Sequence, residues 1–354
     1  MRIAIDCRLI GQSGIGTFIE NVVRHSIDML GVDFVLIGCR TALSAYEERS
    51  NCSIVECDYG SFTLKELFRF PTREVNRCDA FFTPNFNIPF GIKVPVFCTI
   101  HDVVFFDVDG ICSPVGKVIR WAYIKRALGI SSTVFTVSDF SKRRIKSLFH
   151  YKKAIPVVYN GITQELIDYR KNHGGTGKGN YIVCLGNLKK YKGVKMLISA
   201  YNMAKERGAI DDDLVIIGRI DFRTKDEELV QLIKKQDKHI RFVTDADNAR
   251  VYQLLSEAKA LISPSNYEGF GIPPLEAMYL HTPALVSDIP THREIYKDSP
   301  ATFFKAGDLE DLAGSLSHLP SDACDIDELV SHRYSYQIAA KQILETIHAQ
   351  LSIC

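Results

Sequence analysis

Short apolar runs alternate with longer amphipathic stretches, and the pattern occurs twice. The first half has runs at 2–6, 34–38, 80–83, 94–100, 133–137 and 155–158. The second has them at 181–185, 213–217, 240–243, 260–263, 283–286 and 301–304. Runs this short, rich in Val, Ile and Phe, suit strands covered on both faces of a parallel sheet. The stretches between them, such as 18–30, 194–207 and 225–235, read as helices. Strand and helix alternating in this way predict two doubly wound α/β domains. Such sheets take ligands at the carboxyl ends of their strands, so the crevice between the domains is the expected site.

The chain has 354 residues, 46% hydrophobic and 24% charged, enough for two cores and unlike a disordered chain. Its 43 basic and 42 acidic residues exclude a dedicated nucleic-acid binder. The charge is uneven: residues 1–165 carry 20 basic and 16 acidic side chains, and the remainder 23 and 26. Two surfaces with different partners are expected. Residues 170–180 hold four glycines and no apolar side chain, and read as a linker. The expected domains are 1–168 and 178–332, followed by a terminal segment, 333–354, with its helix near 334–351. No apolar run reaches the length of about 18 that a membrane span needs. The N-terminal residues lack a leader pattern. Ten cysteines without a CxxC read as free thiols of a reducing cytosol.

Four loops could carry chemistry. Gly11-Gln-Ser-Gly14-Ile-Gly16-Thr17 follows the first run. Glycines there let backbone approach a phosphate at a helix N-terminus, although a plain tight turn uses them too. The GxxGxG spacing is not the dinucleotide fingerprint, and no acid stands ready for a ribose, which disfavours a nicotinamide-dependent oxidoreductase. Thr99-Ile-His101-Asp102 ends the strongly apolar fourth run; a lone histidine there is also consistent with ordinary packing. Leu185-Gly-Asn187-Leu-Lys189-Lys190-Tyr-Lys192-Gly193 crowds cations into a strand-to-helix loop. They would neutralise a diphosphate, or simply face solvent. The densest signal is Tyr267-Glu268-Gly269-Phe270-Gly271-Ile-Pro273-Pro274-Leu-Glu276. It sets one carboxylate before a glycine turn and one expected in the first turn of the next helix, with room for an anion between them.

Together these residues resemble the retaining glycosyltransferases of family 4, which have the GT-B fold. The match spans nearly the whole chain. Glu268-x7-Glu276 is similar to that family's EX7E motif. Residues 99–102, 137–142, 160–161 and 287–294 match it further, and Pro84-Asn-Phe-Asn-Ile-Pro89 resembles the bacterial O-antigen branch. The resemblance implies two Rossmann-like domains facing across a cleft, the first for the acceptor and the second for a nucleotide sugar. It implies a terminal helix crossing back to the first domain. Gly14 and Gly16 would border the donor diphosphate, and His101 would touch the transferred sugar. Lys192 would bind the diphosphate and stabilise the departing nucleotide. Glu268, with the amides of Gly269, Phe270 and Gly271, would hold the sugar, and Glu276 the ribose. The family usually has Arg where this chain has Asn187. Lys189, Lys190 or Arg219 would then assist, or contact would rest on Lys192.

The implied reaction is hexosyl transfer with retention and without a metal or other cofactor. Asp107-x-Asp109 and Asp245-x-Asp247 fit a metal-binding pattern short enough to arise by chance. The branch suggests GDP-mannose, with UDP-glucose, UDP-galactose or an N-acetylhexosamine donor as the alternative. A catalytically inactive partner subunit is the alternative of another class. The implied acceptor is a saccharide, commonly lipid-linked, in surface polysaccharide synthesis. That places the protein in the cytoplasm, peripheral on the inner membrane face. Residues 142–153 fit this, with Lys142, Arg143, Arg144 and Lys146 among six cations and Ile145, Leu148 and Phe149 at helical spacing. The same pattern fits a surface helix whose stripe enters the core. Residues 62–70 are a second candidate surface.

Overall fold

A computed structural model describes residues 1–60, 64–173, 177–218, 227–234, 238–320 and 325–352. The chain divides into two compact units. Met1–Thr163 with Arg333–Cys354 form the first, and Gln164–His332 the second.

The first unit holds a six-stranded parallel sheet: β1 (Arg2–Asp6), β2 (Asp33–Gly38), β3 (Cys52–Glu56), β4 (Ala80–Thr83), β5 (Val96–Thr99) and β6 (Thr133–Phe135). Its order is β3-β2-β1-β4-β5-β6. The second unit holds β7 (Tyr181–Leu185), β8 (Asp213–Ile217), β9 (Ile240–Val243), β10 (Leu261–Ser263), β11 (Ala284–Ser287) and β12 (Thr302–Phe304), in the order β12-β11-β10-β7-β8-β9. Both are the doubly wound Rossmann order. Crossovers reverse direction between β1 and β4, and again between β7 and β10, which makes those the ligand-binding switch points.

The central strands are apolar on both faces because helices cover both faces. Ile3, Ala4 and Ile5 of β1 and Ile182 and Val183 of β7 are all buried. Helix Tyr336–Leu351 belongs to the first unit, where it packs on helix Gly14–Ser26 and buries Ala340, Ile343 and Ile347. Gly161 permits this return, since a Cβ there would lie 2.4 Å from the Tyr336 backbone nitrogen.

Several local expectations change. Strand β3 has no counterpart among the apolar runs. It is an edge strand, mostly half-exposed, so its sequence lacks the buried signature. Residues 155–158 make only a single bridge, Val157 to Thr136, because Pro156 has no N–H to extend a ladder. The boundary between units falls at Thr163/Gln164, upstream of the stretch read as a linker. Helix Gln164–Asn172 is held in the second unit by buried Leu166, by Asn248 donating to Glu165 at 2.6 Å, and by an Arg170–Asp327 ion pair. The first helix starts at Gly14 rather than near residue 18, so Gly14 and Gly16, two of the loop's three glycines, lie in its first turn.

Candidate functional site

In the second unit the loops after β7 and β10 flank the switch point. Gly193 sits at φ +70°, and a Cβ there would lie 2.0 Å from the Pro264 carbonyl oxygen. Only glycine allows so close an approach. The Asn266 N–H donates to the Tyr191 carbonyl at 2.8 Å and ties the loops together. Lys192 and Glu268 therefore meet. The Lys192 Nζ lies 2.6 and 2.8 Å from the two carboxylate oxygens. Ser265 Oγ donates to Glu268 Oε1 at 2.7 Å, and Thr291 Oγ1 donates to the Glu268 carbonyl at 2.7 Å. Burial alone would raise the Glu268 carboxyl, but the Lys192 charge and the hydrogen bonds from Lys192 and Ser265 outweigh it and hold the group below its ordinary value.

Gly271, at φ +84°, caps helix Ile272–Tyr279, and the Tyr296 hydroxyl donates to its carbonyl. Glu276 is the fifth residue of that helix, in its second turn, because the helix starts at Ile272 and Pro273 and Pro274 fill the first turn. Its carboxyl is only partly covered, yet desolvation pushes it to about 7. No hydrogen-bond or ion-pair partner reaches that carboxyl among the described residues. A structural carboxylate would normally have one. His292 is fully buried below Gly271. Its Nδ1 lies 2.9 Å from the Ser287 carbonyl, which assigns the proton there and leaves Nε2 as an acceptor. Burial lowers its pKa to about 4.

Asn187 is exposed and Leu188 buried, and the Lys189 N–H donates to the Asn187 carbonyl at 2.8 Å. Lys190 is exposed. Gly269 and Phe270 occupy the turn between Glu268 and Gly271, with Phe270 buried. Arg219 lies outside the described residues.

In the first unit, Gly14 and Gly16 differ. A Cβ on Gly16 would lie 2.0 Å from the Leu9 carbonyl oxygen, whereas one on Gly14 meets nothing within 4 Å. Gly16 is thus fixed by packing, and Gly14 leaves open space at a helix N-terminus that has no acidic residue in its first turn. His101 follows β5. Its Nε2 lies 3.1 Å from the Pro84 carbonyl and its ring meets Phe18 edge-on at 4.9 Å. Nε2 therefore carries the proton, and Nδ1 is an acceptor for a hydroxyl. Burial lowers its pKa to about 4, so the ring is neutral at physiological pH.

A buried polar network at the β1/β4 switch point has no counterpart among the sequence expectations. Arg8 Nε donates to Asp6 at 2.8 Å, and Arg8 Nη2 bonds both Asp6 and Glu66 at 2.7 Å. Asn87 donates to Glu66 at 2.5 Å and Thr83 to Asp6 at 3.1 Å. Asp6-Cys-Arg8 at the end of a buried strand was the available signal; its partners lie up to 77 residues away.

Residues 142–153 turn their apolar stripe to the core, the second of the two readings their pattern allows. The helix is Asp139–Phe149, and Ile145 is buried while Leu148 and Phe149 pack on the core. Lys142 pairs with Asp139, and Arg144 with Asp107. The apolar stripe turns inward and its cations are partly neutralised. Arg143 and Lys146 share the same helix. Of residues 62–70, 62–63 lie outside the described residues and Leu64–Arg69 is helical. In the Asp-x-Asp pairs, Asp109 bonds Lys117 and Asp247 caps helix Asn248–Glu257.

The comparisons agree with this architecture. The model of "Glycosyltransferase Family 4" matches residues 13–166, and that of "Glycosyl transferases group 1" matches 167–336. The O-antigen chain mannosyltransferase RfbU of Salmonella typhimurium is 29% identical over 199 residues, 56% of this chain and 53% of that one. The O-antigen chain mannosyltransferase B of Escherichia coli is 26% identical over 232 residues, 61% of this chain and 58% of that one. The chain thus spans about half the length of the curated relatives it matches. Anabaena Alr3699/HepE, solved in complex with UDP and glucose, has the same fold, with a TM-score of 0.71 at 18% identity over 99% of this chain and 100% of that one. With both halves matched and both sheets doubly wound, the chain belongs to glycosyltransferase family 4, with the GT-B fold.

Proposed function

We propose that the protein transfers a hexose from a nucleotide diphosphate sugar, GDP-mannose first, to a saccharide acceptor that is lipid-linked, in bacterial surface polysaccharide synthesis. The observation that carries this reading is the Lys192–Glu268 pair at the β7/β10 switch point, with Glu276 on the helix that follows and without a side-chain partner among the described residues. The mannosyltransferase relatives support the choice of sugar. The UDP-bound structural neighbour keeps a UDP-sugar donor as the second reading.

Breaking the anomeric C–O bond builds negative charge on the diphosphate and positive charge on the anomeric carbon. Lys192 stabilises the first, swinging part of its contact from Glu268 to phosphate. Glu268, held ionised, stabilises the second and positions the sugar. The acceptor hydroxyl enters on the face the diphosphate leaves, so configuration is retained, and the departing phosphate oxygen takes the hydroxyl proton. Glu276 accepts from the ribose hydroxyls, and Gly269, Phe270 and Gly271 form the turn against the sugar. His101 Nδ1 accepts from a hydroxyl of the transferred hexose, and Gly14 leaves room for phosphate. No step requires a metal. The reading places the enzyme in the cytoplasm, at the inner face of the membrane.

Thermal unfolding with GDP, UDP, dTDP, ADP and NAD tests the donor. A ligand at 100 times its Kd adds about 2.7 kcal/mol. A shift with GDP alone supports mannose transfer, and UDP alone moves the assignment to the second reading. Glu268→Gln should abolish transfer while sparing the nucleotide shift. Near-normal transfer by that variant would refute the role of Glu268.

A further inference from the structure

Helix Pro114–Ile130 turns apolar side chains outward. Val115 and Val118 are each 68% exposed, Ile119 49%, Trp121 42% and Ile130 46%. Its inner side is also apolar, with Ile124, Ala127 and Leu128 buried. Positions 115, 118, 119 and 122 follow the i, i+3, i+4, i+7 spacing of one helix face, and Ala122 is exposed as well. An ordinary surface helix presents its polar side to water. A continuous apolar stripe in that place marks a docking surface.

The charges around the stripe select its occupant. The helix carries Lys117, Arg120, Lys125 and Arg126 and no acid. Residues 102–153 hold ten basic side chains against four acidic ones. One of those acids, Asp109, pairs with Lys117 at 3.1 Å. The Arg126 guanidinium lies 4.4 Å over the Phe90 ring, and Phe90 stacks on Phe68 at 5.4 Å. Phe68 is 72% exposed, so the apolar surface continues beyond the helix. The Lys125 Nζ lies 4.5 Å over the Trp121 ring. Aromatic and aliphatic side chains interleaved with cations in excess over acids match an anionic lipid surface. A second copy of the same face would bring like charges together.

We propose that helix Pro114–Ile130, with Phe68 and Phe90, lies on the surface of an anionic phospholipid bilayer. Trp121 and the valines enter the headgroup boundary, and the lysines meet lipid phosphates. This deepens the membrane side of the proposed function, and it stands on exposure and charge without using the donor site.

Trp121 is the chain's only tryptophan, so its emission reports this helix alone. With phosphatidylglycerol vesicles the emission should shift to the blue and the protein should float with the lipid. Pure phosphatidylcholine vesicles should produce neither effect. Val118→Glu/Ile119→Glu changes exposed positions only and should weaken vesicle binding at least tenfold at an unchanged unfolding midpoint. Lys117→Glu/Lys125→Glu should weaken vesicle binding likewise. The nucleotide-induced thermal shift, measured on the same variants, reads the transferase assignment separately. No flotation on anionic vesicles would overturn the proposal, as would a blue shift that follows protein concentration without lipid. Wild-type binding by Val118→Glu/Ile119→Glu would overturn it too.

Discussion

Replacing Glu276 by Gln should make the protein more stable and a poorer nucleotide binder at once. Desolvation moves this carboxyl from the ordinary 4.5 to about 7, and no described side chain offsets it. The difference is about 2.5 pKa units, and at 1.36 kcal/mol each the ceiling is about 3.4 kcal/mol. Water still reaches part of the carboxyl, so roughly half of that, about 1.5–2 kcal/mol, is the expected cost of ionising it in the folded state. The folded state keeps the proton longer than the unfolded chain does. The cost is therefore absent below pH 4.5, grows as pH rises to about 7, and is constant above that. Gln fills the same space without a charge. At pH 8 the variant's second-unit midpoint should rise by about 3–8 °C, and at pH 4 it should match the wild type. Nucleotide affinity should fall tenfold or more, since hydrogen bonds to a charged group contribute about 1.5–3 kcal/mol. Calorimetry at the two pH values and titration with GDP and UDP measure both effects. A variant less stable at pH 8 would show that the carboxylate makes structural bonds. Unchanged affinity would refute its role at the ribose.

Lys192→Met leaves Glu268 buried without its cation and should cost about 3–5 kcal/mol; adding Glu268→Gln should recover part of that, and simple additivity in the double variant would disprove the coupling. Gly14→Ala should leave stability unchanged or raise it by about 0.5–1 kcal/mol while lowering transfer, whereas Gly16→Ala, forced against the Leu9 carbonyl, should unfold the first unit, as circular dichroism melts will show. Burial holds His101 and His292 near pKa 4 against an ordinary 6.5, so each contributes stability that is complete above pH 6.5 and lost as pH falls toward 4. His101→Gln should flatten that decline for the first unit, and a transfer-rate inflection near pH 6.5 traced to His101 would contradict its neutral state.

The sheets were legible because a doubly wound core demands apolar residues on both faces of every central strand. That demand is weakest at an edge, and β3, at the rim of the first sheet, lacks the apolar run for that reason. Ile155 and Val158 have the right character but flank Pro156, so the local run reads as a strand while the ladder stops at one bridge. Glu268 and Glu276 were visible because glycines and prolines between them have few purposes other than an unusual turn. Lys192, whose charge holds Glu268 ionised, was visible too, but the neutral groups around Glu268 were not. Ser265, Thr291 and His292 reach Glu268 or its turn only after β10 and β11 pair, and nothing local marks a serine as a carboxylate's donor.

The two cationic helices show where periodicity stops being informative. Residues 142–149 have a clean apolar stripe among cations, which fits a membrane face and a core face equally well. Only the neighbours decide, and Ile145 is fully buried. Helix Pro114–Ile130 has apolar side chains almost all round, so no single face stands out in its sequence. Once Ile124, Ala127 and Leu128 are buried, the remaining Val115, Val118 and Ile119 have no core left to enter, and Trp121 reaches it only where its ring stacks on Phe149. An apolar surplus beyond what one face can bury is therefore the better sequence mark of a docking helix than amphipathicity, because amphipathicity is already satisfied by the protein's own core.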